Sequence, residues 1–256
     1  MCYLHDNRIL KFGITEIIPH LCGDTTVLLM IVYHGSPQLV SVPLYGEGKA
    51  WNDYGLGFYC TQDLELAKEW ACPEERDGFA NQYRFDTEGL SCLDLGGKDY
   101  HILNWLAILL ENRVFDITYP IVKQGRQYIL EHFLPAYKDY DYIIGYRADD
   151  SYFSFAKAFL SNTISLEQLN CAMRLGKLGT QVVLRSPKSF DAICKEMTYI
   201  APASVYYAKR MARDRKARED YFDILAQSPP TEGVHLIDIM KENWTNDDTR
   251  LQSVIS

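Results

Sequence analysis

The residues with the clearest potential for chemistry are a histidine and a tyrosine, each in a glycine-containing segment. His34 begins the triplet His34-Gly35-Ser36 directly after an apolar run, and Tyr59 ends the segment Gly55-Leu-Gly57-Phe58-Tyr59 about twenty residues later. Glycine has no Cβ, so it lets the backbone come close to a ligand. An imidazole can form hydrogen bonds, and a tyrosine ring offers a flat face on which a heteroaromatic group can stack. The two segments therefore predict a site for a planar ligand.

Several other chemistries do not fit the spacing of the residues. The G-x-G-x-x-G pattern of a Rossmann fold is absent, and so is the G-K-[ST] of a phosphate-binding loop. Cys60 follows Tyr59, but no second histidine is placed to form a Cys–His pair, which argues against a thiol enzyme. His101, His132 and His235 lack metal-ligand spacing with any cluster of cysteines or acids, so no metal site is predicted.

Composition limits the class of protein. The chain has 256 residues, 47% of them hydrophobic, which is enough for one sizeable core or two modest ones. The 26 Lys and Arg against 34 Asp and Glu give a net charge of −8, so any contact with nucleic acid would be local. The seven cysteines are scattered without a C-x-x-C pair, which is typical of free thiols in a reducing compartment. No segment resembles a secretion signal or a membrane span, and we expect a cytoplasmic protein.

The elements that must position His34 and Tyr59 can be predicted from apolar runs and capping residues. Residues 27–33 indicate a buried strand, because the run is short, rich in branched side chains and bounded by turn residues. A second short strand is expected near Gly57–Thr61, followed by a helix with Thr61 as N-cap that ends at Pro73. Further strands are expected at residues 82–85, 91–95, 142–146 and 181–184. Further helices are expected at residues 101–115, 120–134, 165–176, 187–193 and 203–226.

The composition divides the chain into three parts. Residues 1–29 show weak periodicity and are expected to be an N-terminal appendage. Residues 30–226 are expected to form the domain that holds the site. Residues 227–256 begin with the linker Ser228-Pro-Pro230 and are expected to continue as a tail helix that packs on the domain or binds a partner.

The last helix of the predicted domain is highly charged. Residues 209–218 hold six basic side chains and one acid. This run fits a solvated face with intrahelical ion pairs, and it also fits a patch for an acidic partner or phosphates. The run and the tail at 231–256 are the two predicted partner-binding segments.

The two glycine-containing segments resemble a known enzyme superfamily. A strand with His34-Gly35-Ser36, followed by DYGLGFYCTQDLELAKEWA at 53–71, is similar to an uncharacterised bacterial branch of the ADP-ribosyltransferases. These include diphtheria-toxin-like enzymes and the poly-ADP-ribose polymerases, which share a His on the first strand, a Tyr on a later strand and a third polar residue, often Glu. By position, His34 matches the first, Tyr59 the second and Gln181 the third. The similarity extends over residues 30–222.

The resemblance implies an α+β fold: a split mixed β-sheet core with flanking helices and a long C-terminal helix, which holds NAD, the substrate, in a cleft. It implies that the backbone of Gly35 holds the nicotinamide amide, that His34 hydrogen-bonds the ribose and that Tyr59 stacks on the nicotinamide ring. The implied NAD-binding set is completed by Ser36, Gly57 and Phe58. Cleavage of the nicotinamide–ribose bond passes through an oxocarbenium-like state, which is favoured when the leaving group is fixed and the sugar strained.

The glutamine at the third position departs from the superfamily. A missing Glu there is associated with transfer of single ADP-ribose units or with loss of activity, so chain elongation is not expected. Asp149 and Asp150 could supply the carboxylate that stabilises positive charge, although the pair also fits a turn with solvated acids. Glu167 is a weaker candidate because a capping box explains it. Residues 51–54 fit either the adenosine side of the cleft or a shaped turn.

These observations lead to one main hypothesis and two alternatives. The resemblance implies an NAD-dependent mono-ADP-ribosyltransferase with a toxin-like bacterial role, whose macromolecular acceptor is a protein rather than a nucleic acid because the chain is acidic. The first alternative is an inactive module of the same fold that binds NAD, ADP-ribose or a partner. The second is a glycohydrolase that splits NAD without an acceptor.

Overall fold

The computed structural model describes residues 28–114, 119–148, 150–173, 175, 179–227 and 232–251. Within these ranges the chain has a mixed α+β fold with two β-sheets and flanking helices, so the α+β class predicted from the sequence is confirmed. The predicted N-terminal appendage at 1–29 lies outside the described residues except for its last two positions. None of the described helices combines the length and the apolar character that crossing a bilayer requires.

The seven strands of the described residues form one three-stranded and one four-stranded sheet. They are β1 (Leu29–Ser36), β2 (Phe58–Cys60), β3 (Gly78–Asp86), β4 (Cys92–Asp94), β5 (Tyr142–Tyr146), β6 (Thr180–Leu184) and β7 (Ile193–Ala201). The first sheet has the order β1-β3-β7, with both neighbours antiparallel. The second has the order β2-β6-β5-β4, in which only the β4–β5 pair is parallel.

The helices of the described residues cover the outer faces of the two sheets. They are α1 (Leu64–Ala71), α2 (Ile102–Asn112), α3 (Pro120–Phe133), α4 (Asp150–Leu160), α5 (Leu166–Ala172), α6 (Pro187–Asp191), α7 (Ala203–Gln227) and α8 (Leu236–Lys241). The main core surrounds α2, in which every residue from Ile102 to Leu110 is buried. A smaller core fills the space between the sheets, where Val32 and Phe85 of the first meet Val182 and Leu184 of the second.

Among the described residues, one isolated backbone bridge joins the two sheets, and β1 and β2 then separate. Tyr33 and Thr61 exchange two backbone hydrogen bonds of 2.7 and 2.9 Å, and this bridge lies outside the regular ladders. Beyond it, β1 continues to Ser36 while β2 turns onto β6. We call the opening between β1 and β2 beyond this bridge the fork, and it is lined by residues 34–36 of β1 and 58–60 of β2.

The start of α1 differs from the prediction. Asp63, not Thr61, is the N-cap, and its carboxylate accepts from the backbone N–H groups of Glu65 and Leu66 at 2.8 and 3.1 Å. Thr61 cannot take that role because its backbone forms the bridge to Tyr33. The predicted end of the helix is confirmed, since Cys72 is the C-cap directly before Pro73.

Two elements were missed by the sequence patterns, and one helix was predicted too long. Ile193 begins β7, which pairs with β3, rather than ending a helix. The sequence did not indicate this strand, because most of its residues are only partly buried or exposed and do not alternate regularly between apolar and polar. Helix α4 was not predicted, and it begins at Asp150. The capping box at Ser165 is confirmed, but the predicted helix end at Gly176 lies outside the described residues.

The tail at 231–256 packs against the main core where it is described. Leu236, Ile239, Trp244 and Leu251 are buried within it. The backbone N–H of Leu166 donates to the carbonyl of Val234 at 2.7 Å. The sequence predicts a tail helix that either packs on the domain or binds a partner. The described residues of the tail pack on the domain.

The basic run on α7 is largely neutralised by the chain itself. Arg213 forms a two-pronged pair with Glu69 of α1, which is 3% exposed, at 2.8 and 2.9 Å. The other partners are Glu65 for Lys209, the Cys72 carbonyl for Arg210, Asp220 for Lys216 and Asp214 for Arg218. Two of these are the intrahelical pairs that the sequence predicts. A partner at this surface stays a prediction, and it would compete with these contacts.

Candidate functional site

The fork leaves the backbone of Gly35 open on one side. In an antiparallel sheet, the N–H and C=O groups of successive residues point alternately to the two neighbouring strands. Tyr33 directs both groups at Thr61, the residue after β2. Gly35, two residues further along β1, directs its own N–H and C=O groups to the same side. The bridge is isolated, and β2 does not pair with Gly35 among the described residues. A donor and an acceptor of β1 therefore face the fork, in the arrangement that recognises an amide.

Helix α1 fills the space where a side chain of Gly35 would lie. An ideal Cβ at this position would be 2.1 Å from the carbonyl oxygen of Ala67 and 2.9 Å from the nitrogen of Ala71. Contacts this short with backbone atoms cannot be relieved without moving the helix. Gly35 is therefore required by close packing, whatever ligand the fork accepts.

His34 lies inside β1, which continues to Ser36 beyond the predicted strand end at residue 33, and its side chain spans the fork. Its Nδ1 lies 2.7 Å from the carbonyl oxygen of Tyr59, and the ring stacks on Phe58 with 4.3 Å between centroids. A carbonyl only accepts, so Nδ1 carries the proton and donates. Burial lowers the pKa of His34, and the bond to the Tyr59 carbonyl opposes this more weakly. The imidazole is thus neutral near pH 7, and Nε2 is an acceptor.

Tyr59 directs its phenol away from His34. The hydroxyl donates to the carbonyl of Gly55 at 2.6 Å and accepts from the backbone N–H of Tyr54 at 3.1 Å. Successive residues of a strand point to opposite faces, so this ring lies on the face of β2 opposite to Phe58. Burial raises the pKa of the phenol, which stays protonated. The structure therefore brings His34 to the backbone of Tyr59, while the phenol holds the turn before β2.

Gln181 lies on the same face of the second sheet as Tyr59. Tyr59 pairs with Val183 of β6, and Gln181 precedes Val183 by two residues. Its side chain is 4% exposed, and Nε2 donates to Oδ2 of Asp53 at 3.1 Å. The third residue of the predicted set is thus close to the second, but a carboxylate engages its amide nitrogen.

Asp53, one of the residues 51–54 that fit either the adenosine side of the cleft or a turn, is the centre of a buried polar network that the sequence did not predict. Oδ2 also accepts from the backbone N–H of Ala148 at 2.9 Å, and Oδ1 is 3.0 Å from Nε of Arg113. Burial raises the pKa of Asp53, and Arg113, the amide of Ala148 and Arg147 counteract this shift. The sequence places Asp53 in a turn-like segment, and no periodicity marks it as buried.

The same region contains a stacked pair of Arg147 and Trp70. The guanidinium lies 4.0 Å from the centroid of the indole, close enough for a strong cation–π contact. Trp70 belongs to α1, and its Cβ would be 3.0 Å from a Cβ at Gly35, so the indole is attached beside the fork. Trp70 itself is only partly buried.

The candidates Gly57 and Ser36, and the neighbouring Gly55, have local structural roles. A Cβ at Gly57 would be 2.8 Å from the carbonyl of Leu184, so this glycine lets β2 approach β6. The hydroxyl of Ser36 accepts from the backbone N–H of Gln38 at 3.1 Å at the end of β1. Gly55 has a φ of +76°, which a glycine adopts without strain.

The carboxylates proposed from the sequence do not join this network where they are described. Asp149 lies outside the described residues, and Asp150 begins α4 with a side chain that the structure does not describe. Glu167 accepts from the backbone N–H of Val234 at 3.0 Å and holds the tail. Asp53 is therefore the carboxylate in contact with Gln181.

Comparison with known proteins gives a family without an assigned activity. No curated protein and no solved structure matches the chain. A family described as a protein of unknown function matches residues 30–194, which run from β1 to the start of β7 and include His34, Asp53, Tyr59 and Gln181. Because the match covers more than half of the sequence, the chain belongs to this family, DUF3990.

Proposed function

We propose that the protein binds NAD at the fork and acts as a mono-ADP-ribosyltransferase. The observation that carries this proposal is the backbone of Gly35, which β2 leaves unpaired between two separating strands, with His34 on one strand and Tyr59 on the other. A peptide donor and acceptor side by side can hold a carboxamide such as that of nicotinamide. The resemblance of both segments to ADP-ribosyltransferases supports the same assignment.

The side chains around the fork suit the chemistry of this reaction. Nε2 of the neutral His34 can accept a hydrogen bond from a ribose hydroxyl. The face of Trp70 already stacks on a planar cation, the guanidinium of Arg147, and the nicotinamide ring of NAD is also a planar cation. A pyridinium stacked there would displace Arg147 from the indole.

The reaction exchanges one bond at C1′ of the ribose. The bond from C1′ to the nicotinamide nitrogen breaks, and its electron pair neutralises the pyridinium. A nucleophilic atom of the acceptor bonds to C1′ and releases its proton to solvent. The protein favours this step by fixing the leaving group and the sugar in one geometry. We propose a protein acceptor, because the net charge of −8 disfavours nucleic acid.

The proposal is tested with purified protein, NAD labelled in the adenosine part, and a cell lysate. We expect label on a macromolecule and an equal amount of free nicotinamide. His34→Ala should lower both by about 100-fold or more, because the ribose loses its acceptor. The matched control is His132→Ala at the end of α3, which should retain wild-type activity. Neither label nor nicotinamide from the wild-type protein would contradict the proposal.

A binding module without chemistry is the second candidate. It is favoured by the observation that the amide nitrogen of Gln181 and the hydroxyl of Tyr59 are both engaged within the chain. Calorimetry with NAD separates the two functions, since a module binds NAD without releasing nicotinamide. Nicotinamide release without a labelled acceptor identifies a glycohydrolase instead.

A further inference from the structure

The buried network around Asp53 joins the parts of the chain that surround Gln181. The carboxylate contacts the end of α2 through Arg113, the segment after β5 through the backbone of Ala148, and the start of β6 through Gln181. Asp53 is 6% exposed, so its carboxylate is buried, whereas 25% of the Arg113 side chain is exposed. One cation and two N–H donors around a buried carboxylate hold it in one orientation.

This carboxylate determines which end of the Gln181 amide is which. A glutamine amide has a donor end and an acceptor end that can exchange by rotation. Oδ2 of Asp53 also accepts from the backbone N–H of Ala148, and Oδ1 faces Arg113, so both oxygens act as acceptors and select the orientation in which Nε2 points at Asp53. Oε1 is then the end that remains for another partner. None of the described residues donates a hydrogen bond to Oε1 of Gln181. This atom is not fully buried, since it is absent from the fully buried side-chain atoms without a hydrogen-bond partner.

The same contact changes the electron distribution in the amide. A hydrogen bond from Nε2 to a carboxylate polarises the N–H and increases the partial negative charge on Oε1, because hydrogen bonds in a low-dielectric site reinforce one another. Gln181 thereby gains part of the acceptor strength that a glutamate at this position would have. The negative charge itself stays on Asp53, next to Arg113.

We propose that Asp53 is a positioning residue of the site, which orients and polarises the Gln181 amide so that Oε1 accepts a hydrogen bond from a ribose hydroxyl of NAD. This inference rests on the proposed function. Asp53 acts through Gln181 and does not itself touch the sugar. The pair of residues 53 and 181 takes the place of the single glutamate that is common in the superfamily the sequence resembles.

The first test is the variant Asp53→Asn, with nicotinamide release from NAD as the readout. Asparagine can present either end to Gln181, so the amide is no longer held in one orientation. We expect kcat to fall on the order of 10- to 100-fold, with KM for NAD changed less than about threefold. Rates are measured well below the unfolding temperature of each variant.

The second test moves the carboxylate from residue 53 to residue 181. In the double variant Asp53→Asn/Gln181→Glu, the new asparagine can donate to the new glutamate, and an acidic group remains close to Arg113. The glutamate can accept the ribose hydroxyl directly, so kcat should return at least to the wild-type value. A purely structural Asp53 predicts recovery of stability without this gain in kcat.

A control separates activity from stability. Asn104→Ala removes a buried hydrogen bond of 2.9 Å to the Phe133 carbonyl, about 13 Å along α2 from Arg113. It should lower the unfolding temperature while kcat stays at the wild-type value. A folded Asp53→Asn protein with unchanged kcat overturns the inference. A folded double variant whose kcat stays low also overturns it, and this second test applies even if the single variant does not fold. Wild-type protein that neither binds nor cleaves NAD overturns the proposed function together with this inference.

Discussion

Protonation of His34 places a charge where burial disfavours it. In the folded protein burial lowers the pKa of this imidazole, whereas in the unfolded chain it titrates near its ordinary value of 6.5. As the pH falls below 6.5, the unfolded chain takes up a proton that the folded protein does not. The free energy of unfolding must therefore decrease with falling pH, by at most about 1.4 kcal/mol per pH unit for this one group.

The matching variant is His34→Asn, whose amide can donate to the Tyr59 carbonyl but does not titrate. We expect its free energy of unfolding, measured by urea denaturation between about pH 5 and pH 7.5, to fall less steeply toward acid than that of the wild type. Some slope should remain, because burial also lowers the pKa of His101. Parallel curves for the two proteins would mean that His34 has the same pKa in both states.

At the scale of elements, the close contact of β1 with α1 positions the fork. Gly35→Ala puts a methyl group 2.1 Å from the Ala67 carbonyl, so the helix must shift away from the strand. We expect a loss of about 2–3 kcal/mol in the free energy of unfolding, measured by denaturant titration. The control is Gly96→Ala, where the nearest atom is a side-chain oxygen of Asp94 at 3.3 Å. Equal stability of the two variants would contradict a fork that depends on this contact.

The sequence predicts those elements whose signal is local. The capping box at Ser165, the proline at the start of α3 and the short strands β2 and β6 were all predicted within a few residues. Strand β7 was missed because it is stabilised by pairing with β3, a partner more than a hundred residues away, and not by its own pattern.

The residues of the candidate site likewise divide into those with a local sequence signal and those that depend on long-range contacts. His34, Gly35 and Tyr59 stand in segments with unusual glycine spacing, and the structure brings His34, the backbone of Gly35 and the backbone of Tyr59 to the fork. The contact between Asp53 and Arg113 was not predicted, because it joins a turn to the end of a distant helix. The charge balance of a buried pair depends on three-dimensional neighbours, which no spacing along the chain encodes.

At the scale of the whole molecule, the described part of the tail belongs to the main core. Trp244 is 4% exposed, and its backbone carbonyl accepts from the hydroxyl of Tyr128 on α3 at 2.9 Å. A side chain this deeply buried links the stability of the tail to that of the helices around α2. The composition predicted a boundary near residue 227 between the domain and the tail. The packing instead predicts that the domain and the tail unfold together.

Trp244→Ala distinguishes these two predictions. Removing the indole leaves a cavity in the main core, and we expect the free energy of unfolding to fall by about 3–5 kcal/mol in a single transition, as measured by calorimetry and circular dichroism. The matched control is Phe222→Ala on α7, which also removes an aromatic ring but is 67% exposed, so its effect should stay below about 0.5 kcal/mol. A tail that unfolds in a separate transition, with the main transition unchanged in Trp244→Ala, would show that residues 227–256 are an independent segment. A shift of the whole transition instead requires that the fork and the tail share one cooperative fold, so that loss of the tail also removes the site.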